Sequence, residues 1–291
     1  MIRFIHMPGK KSLFLTLFLL CFYAPSIGME ISLKLSGGMN FMPLENVNSV
    51  LQEWIRFYKT EADQKPSITF LEGDIPDFKT TVNLGGELAF TITPWLTLSM
   101  GTGLSHLAVS QEKTTLMTER PIGTYSYIHP MKISVMPLTF SAYVSFKISE
   151  KLKAYARGGG GLAWLKYVER SARRNITRNQ KFQWLMLSKS TSRAPILMGG
   201  LGLLYRIEPG IDLFVEGLVQ KTKFTDISGV NIDEENGTLY HLEQYSNTLD
   251  VWFETFRTYV EEPSGETFRS VRKAEIDFSG FSFKIGLMIR F

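Results

Sequence analysis

Phe281-Ser282-Phe283-Lys284-Ile285-Gly286-Leu287-Met288-Ile289-Arg290-Phe291 alternates between an apolar face and a second face that is polar or small at every position but Met288. Successive side chains of a strand point to opposite faces. Phe281, Phe283, Ile285, Leu287, Ile289 and Phe291 therefore share one side, and Lys284 and Arg290 lie on the other. A tilted strand crosses bilayer hydrocarbon in about 9–11 residues, and strands of water-soluble sandwiches seldom alternate for so long. The stretch predicts a membrane-crossing strand with an oily outside and a polar inside.

The same period recurs near 30–41, 79–93, 96–110, 131–148, 152–170, 191–207 and 211–226. In these segments and the last one, Lys34, Glu87, Lys147, Arg157, Arg206, Asp212, Glu216, Lys284 and Arg290 all fall opposite the apolar face. An Arg or Lys facing lipid at the bilayer midplane costs about 2–4 kcal/mol, whereas a polar lumen can pair it. These nine residues are thus the candidate polar network of a lumen. Eight strands enclose an interior that side chains just fill, so the lumen should be plugged. Thr93-Pro94-Trp95, Ser149-Glu150-Lys151 and Glu208-Pro209-Gly210 supply tight hairpin turns, while 42–78, 111–130, 171–190 and 227–273 are long connections. The expected fold is all-β: an eight-stranded antiparallel up-and-down transmembrane β-barrel with long extracellular loops, two of them partly helical. A ten-stranded variant, with 238–260 or 171–190 contributing further strands, stays open. Trp95, Tyr205 and Phe291 are placed at one membrane interface and Trp164 nearer the other.

Residues 1–28 read as a secretory signal peptide: Arg3, Lys10 and Lys11 precede an apolar run from Leu13 to Tyr23, and Ser26 and Gly28 mark a cleavage site. The barrel domain is then 29–291. Without Arg3, Lys10 and Lys11 the 32 basic residues become 29 against 28 acidic ones, so no global basic field calls for nucleic acid. The single cysteine, Cys21, lies in the apolar run, which excludes a disulfide scaffold and a Cys-ligated metal. No histidine spacing suggests a metal site, and no cofactor is expected.

Function would have to sit on the loops. Val47, Val50, Leu51, Trp54, Ile55 and Tyr58 recur at helical spacing, with Asn46 or Asn48 as candidate caps. Leu239, Leu242, Tyr245, Leu249, Trp252, Phe253 and Phe256 repeat the theme in the last loop. Such helices would either cover the barrel mouth or offer an apolar surface. Arg170, Arg173, Arg174, Arg178 and Lys181 cluster in the third loop, either solvated or facing lipopolysaccharide phosphates. Trp54, Tyr58, Arg173, Arg174, Arg178, Trp252 and Phe256 are accordingly the candidate loop-interaction residues. No catalytic residue is assigned: Ser105 and His106 are neighbours on a strand and point to opposite faces, and His129 and His241 lie in different loops.

The alternating segments, the terminal Phe291 and the stretch Met136-Pro137-Leu138-Thr139-Phe140 leading to Tyr155-Ala156-Arg157-Gly158-Gly159-Gly160-Gly161 resemble the small outer-membrane β-barrel proteins of diderm bacteria, the group with OmpA- and OmpX-type barrels. The resemblance spans 29–291. It implies residence in the bacterial outer membrane, Phe291 as an insertion signal read by the barrel-assembly machinery, and outer-membrane lipid and lipopolysaccharide as surroundings. A surface ligand or protein partner is compatible with the long loops. The expected role is non-enzymatic surface interaction or envelope integrity. Alternatives are binding or transport of small or hydrophobic solutes, and a hydrolase or protease at the rim.

Overall fold

The structure is a computed structural model that describes residues 30–109, 114–247 and 249–291. The expected signal peptide lies outside the described residues. The long strands are β1 (Glu30–Phe41), β2 (Thr80–Thr93), β3 (Leu96–Val109), β4 (Met131–Lys147), β5 (Leu152–Asn175), β6 (Gln183–Glu208), β7 (Ile211–Lys221) and β8 (Gly280–Arg290). Each pairs antiparallel with its chain neighbour, and β8 pairs with β1, Leu35 opposite Leu287. Tracing the pairings from β1 therefore returns to β1.

Turn chemistry sets the short connections. Thr93 Oγ1 accepts from Leu96 N at 3.0 Å, and Ser149 Oγ accepts from Leu152 N at 3.1 Å. Gly210 closes the third turn at φ +86°, a left-handed conformation that a side chain would strain.

The outward residues of this wall are oily and uncovered: Leu84, Phe140, Leu201 and Val219 are each more than half exposed. On β5 the outward row from Ala154 to Leu162 ends at Trp164, and Lys166 stands outside next. Above that level the amphipathic phase of β4 to β6 inverts. Ile133, Val135 and Leu165 turn inward and are buried, while Lys132, Lys166 and Lys189 turn outward. The membrane-crossing part of these strands thus stops near Met136 and Trp164, and their extensions behave as water-soluble sheet.

The long connections are mostly strand. Thr115–Arg120 and Gly123–Ile128 form a hairpin that joins the upper end of β5, and Thr69–Glu72 adds to its edge. Ser228–Val230, Asn236–Ser246, Val251–Tyr259 and Phe268–Lys273 extend the sheet from β6. Two expectations are corrected. The 171–190 connection is a hairpin in which β5 and β6 run on as paired strands. The expected second helix is the hairpin of Asn236–Ser246 with Val251–Tyr259, where Thr238, Tyr240, Val251, Thr255 and Thr258 favour extended backbone.

The first connection holds the only helix among the described residues, α1 (Glu45–Gln64), with Val47, Val50, Leu51, Trp54, Ile55 and Tyr58 on its buried face. Neither Asn46 nor Asn48 caps it; Leu44 stands at the N-cap in the left-handed region without a side-chain bond. Asn48 instead ties α1 to the start of β2, accepting from Phe78 N at 2.7 Å and donating to Phe78 O at 3.0 Å.

Candidate functional site

Inside the lower half of the wall, strand parity sends Lys34, Glu87, Tyr143, Tyr155, Arg157 and Glu216 from five strands to one place. Lys34 Nζ lies 2.6 Å from Glu216 Oε2, and Arg157 Nη1 lies 3.0 Å from Glu216 Oε1 and 2.9 Å from Glu87 Oε1. Tyr143 donates to Glu87, Tyr155 OH donates to Glu216 Oε2 at 2.8 Å, and Arg157 Nη2 donates to Ser141 Oγ at 3.1 Å. Phe214 floors the group, its ring centroid 4.2 Å from Lys34 Nζ. Two cations pair directly with two carboxylates, all four of them buried, and Lys284, opposite Glu216 across the β7–β8 register, adds a half-buried third cation beside them. Direct pairing matters because an unpaired charge in such a place is far more costly than a paired one.

Wall glycines make room for these side chains. A Cβ on Gly202 would stand 2.3 Å from the Tyr155 ring, and one on Gly101 2.3 Å from Glu87 Cγ. Gly202→Ala is expected to displace Tyr155 from Glu216 and lower unfolding stability by about 1–3 kcal/mol, the usual range for overpacking. Urea titration of the protein in detergent checks this; an unchanged midpoint with an unchanged slope would contradict it.

The remaining network candidates separate from this cluster. Asp212, Arg206 and Arg290 sit at the end of the lumen near the short turns. Arg290 pairs with Asp212 and reaches Glu30 Oε1 at 3.3 Å, while Arg206 Nε is 3.9 Å from Asp212. They line a cavity of about 390 Å³ that ends on Tyr143 and Tyr155. Lys284 is half-buried and lines the lumen with Glu87 and Arg157. Lys147 shares their parity but stands exposed at the rim, opposite Lys153, so it does not join the buried group. Phe291 is 78% exposed, its N–H held by Ile31 O at 2.9 Å.

The upper half of the barrel is an apolar core. α1 lies in it, with Trp54 stacked on His129 at 4.4 Å and Tyr58 against Tyr127 at 4.3 Å. Ile133, Leu165, Ile196, Phe253 and Phe256 complete the same cluster. Trp54, Tyr58 and Phe256 are therefore buried and withdrawn from any surface, which corrects their expected place in loop interaction. Trp252 remains half-buried at the top, under the Arg269 guanidinium at 4.3 Å. Arg173, Arg174 and Arg178 are exposed near the tip of the β5–β6 hairpin.

Sequence reading missed three members of these groups. Tyr143 and Tyr155 carry a legible signal, since they share the parity of Arg157. His129 carries none: it is wholly buried, and neither ring nitrogen has a partner among the described residues. Burial there holds its pKa down at about 3. Glu169, on the β5 extension beyond Trp164, is pushed up to about 7 by burial, although Tyr167 donates to it and Arg257 is near.

Among solved structures the chain is similar to a major outer membrane protein from Thermus thermophilus, at 10% identity over 90% of this chain and 99% of that one, with a TM-score of 0.43. It is similar to the outer membrane protease OmpT from Escherichia coli at 8% identity, covering 90% and 96%, with a TM-score of 0.35. Ail, the attachment invasion locus protein of Yersinia pestis, gives 8% identity, 90% and 97%, and a TM-score of 0.34. No family model and no curated protein matches the chain. Outer-membrane residence is read from the wall itself. A β-barrel with an oily exterior and a charged interior, its strands bonded edge to edge, is the sheet architecture that hydrocarbon tolerates. The chain is an outer-membrane β-barrel protein.

Proposed function

We propose that eight mutually paired strands, β1 to β8, form a sealed cylinder that presents a folded external cap for surface interaction or envelope integrity. The observation that carries this reading is double closure of the lumen. Lys34, Arg157, Glu87 and Glu216 fill its lower half, and α1 with its aromatic partners fills the upper. A solute would have to break a buried, directly paired ion cluster and then an apolar core, so the barrel serves as anchor and frame rather than conduit. Outer-leaflet lipid and lipopolysaccharide surround it, the barrel-assembly machinery reads Phe291, and a surface ligand or protein partner would meet the cap at Arg173, Arg174, Arg178 and Trp252. The reading assigns no catalytic residue.

Planar-bilayer recording is the direct test. The inserted protein is expected to give no stepwise conductance, while a parallel unboiled sample migrates differently from a boiled one on electrophoresis. Stable porin-sized steps would overturn the plugged-lumen reading. A species that shows neither insertion nor heat-dependent mobility would overturn the barrel reading itself.

A further inference from the structure

Just above the apolar belt, the outer face of β4, β5 and β6 carries a cationic groove. Cross-strand register aligns His106, Ser134, Lys166 and Thr191 in one row, with Met136, Trp164 and Arg193 in the row below. The next row up holds Lys132, Val168 and Lys189. On these three strands, the outward positions beyond Trp164 include no carboxylate. Lys132, Lys166, Lys189 and Arg193 make no ion pair among the described residues. The nearest acid in the groove, Asp226, already binds Lys273 Nζ at 2.8 Å.

The groove is a shaped cavity of about 720 Å³, with Ser134, Trp164, Lys166, Thr191 and Arg193 along its floor and the Thr225–Ser228 segment as one wall. That wall is fixed: Ser192 Oγ donates to Thr225 O at 2.6 Å. The Ser134 hydroxyl is held by His106 Nδ1 at 2.9 Å. Followed past His106 to the other strands, the same register row is apolar and exposed, with Val82 on β2, Met39 on β1 and Phe283 on β8. The cations therefore serve one lateral site and not a uniform girdle.

We propose that this groove binds the phosphate-bearing headgroup of an outer-leaflet lipid. Arg193 offers a fork and Lys166 a point charge to phosphate oxygens, and the Ser134 and Thr191 hydroxyls add hydrogen bonds. Below them Trp164 sits where aromatic rings meet the interface, and Met136, Leu162 and Leu197 continue downward as exposed apolar surface for acyl chains. A free phosphate would use the cations but leave that apolar floor unused. The lipid uses both. The inference rests on the membrane reading above, and the test separates the two.

Full-length protein in detergent is titrated with phosphatidic acid or with phosphatidylcholine of the same chains, and bound lipid is counted by native mass spectrometry. One phosphatidic acid is expected to be retained about thirtyfold more tightly than phosphatidylcholine, in line with two cations acting at a membrane surface. Lys166→Gln with Arg193→Gln should abolish the preference, while Lys221→Gln, a single cation on β7, should keep it. Equal retention of the two lipids, or a preference that survives the double substitution, overturns the site. So does glycerol phosphate competing as effectively as the lipid, which would assign the groove to a soluble phosphate. Co-flotation with vesicles and heat-dependent mobility are read on the same samples: if both persist without lipid preference, only the groove fails, and if both are lost, the barrel reading fails first.

Discussion

Glu216→Leu should be the most damaging single substitution in the barrel wall. It removes the carboxylate that Lys34 and Arg157 share, leaving two buried cations against Glu87 alone. Breaking a buried ion pair by deleting one partner costs about 3–5 kcal/mol, because the survivor keeps its desolvation penalty without its compensation. Tyr155 also loses its acceptor. The variant is therefore expected to lose about that much in urea unfolding, followed by the shift from the folded to the unfolded band in unboiled samples. Lys34→Met combined with Glu216→Leu restores a one-to-one balance between Arg157 and Glu87. It should recover most of the loss, since well-packed apolar pairs replace buried ion pairs with little penalty. Were Glu216→Leu to unfold like the parent chain, the cluster would have to be hydrated and the lumen open.

Much of the wall is legible in the sequence because one physical constraint acts on every strand: hydrocarbon on one side and a crowded polar interior on the other. Parity alone placed Lys34, Glu87, Arg157 and Glu216 inside. Parity says nothing of depth, however. Lys147 shares the inner face yet sits at an exposed rim where water solvates it, and Arg206 on the same face meets Asp212 at the turn end of the lumen. Above Trp164 the signal inverts, since water lies outside and the core inside, so Ile133 and Leu165 break the pattern that Leu138 and Leu162 obey. The cap was harder still. In Asn236–Ser246 the consecutive residues Leu239, Tyr240, His241 and Leu242 are all buried, which erases alternation. The apolar residues that remain then mimic helical spacing. α1 was readable because one face packs and the other is solvated, which keeps its 3.6-residue period intact.

His129 should make closure of the cap sensitive to acid. Its ring is wholly buried against Trp54, with no partner for either nitrogen among the described residues, and burial holds its pKa at about 3 against 6.5 in an opened chain. Between those values the opened cap binds a proton that the closed cap refuses, so this residue's contribution to closure is present above 6.5 and is lost as pH falls toward 3. One pKa unit corresponds to about 1.4 kcal/mol, which gives a loss of about 2 kcal/mol at pH 5 and about 4 kcal/mol at pH 3. Glu169 acts in the opposite sense. Its pKa is raised from 4.5 to about 7, so the closed cap holds the extra proton and closure strengthens as pH falls through that window. The two contributions offset each other in the parent chain until about pH 4.5, below which only the histidine still titrates. His129→Phe keeps a ring stacked on Trp54 but removes the proton site. Hydrogen exchange of the α1 amides, corrected for intrinsic rates, should show the parent losing protection relative to His129→Phe by about 2 kcal/mol at pH 5, with the variant gaining protection from pH 7 to 4.5. Parallel profiles for the two proteins from pH 6.5 to 3 would mean that water reaches the imidazole and that the aromatic core of the cap is open.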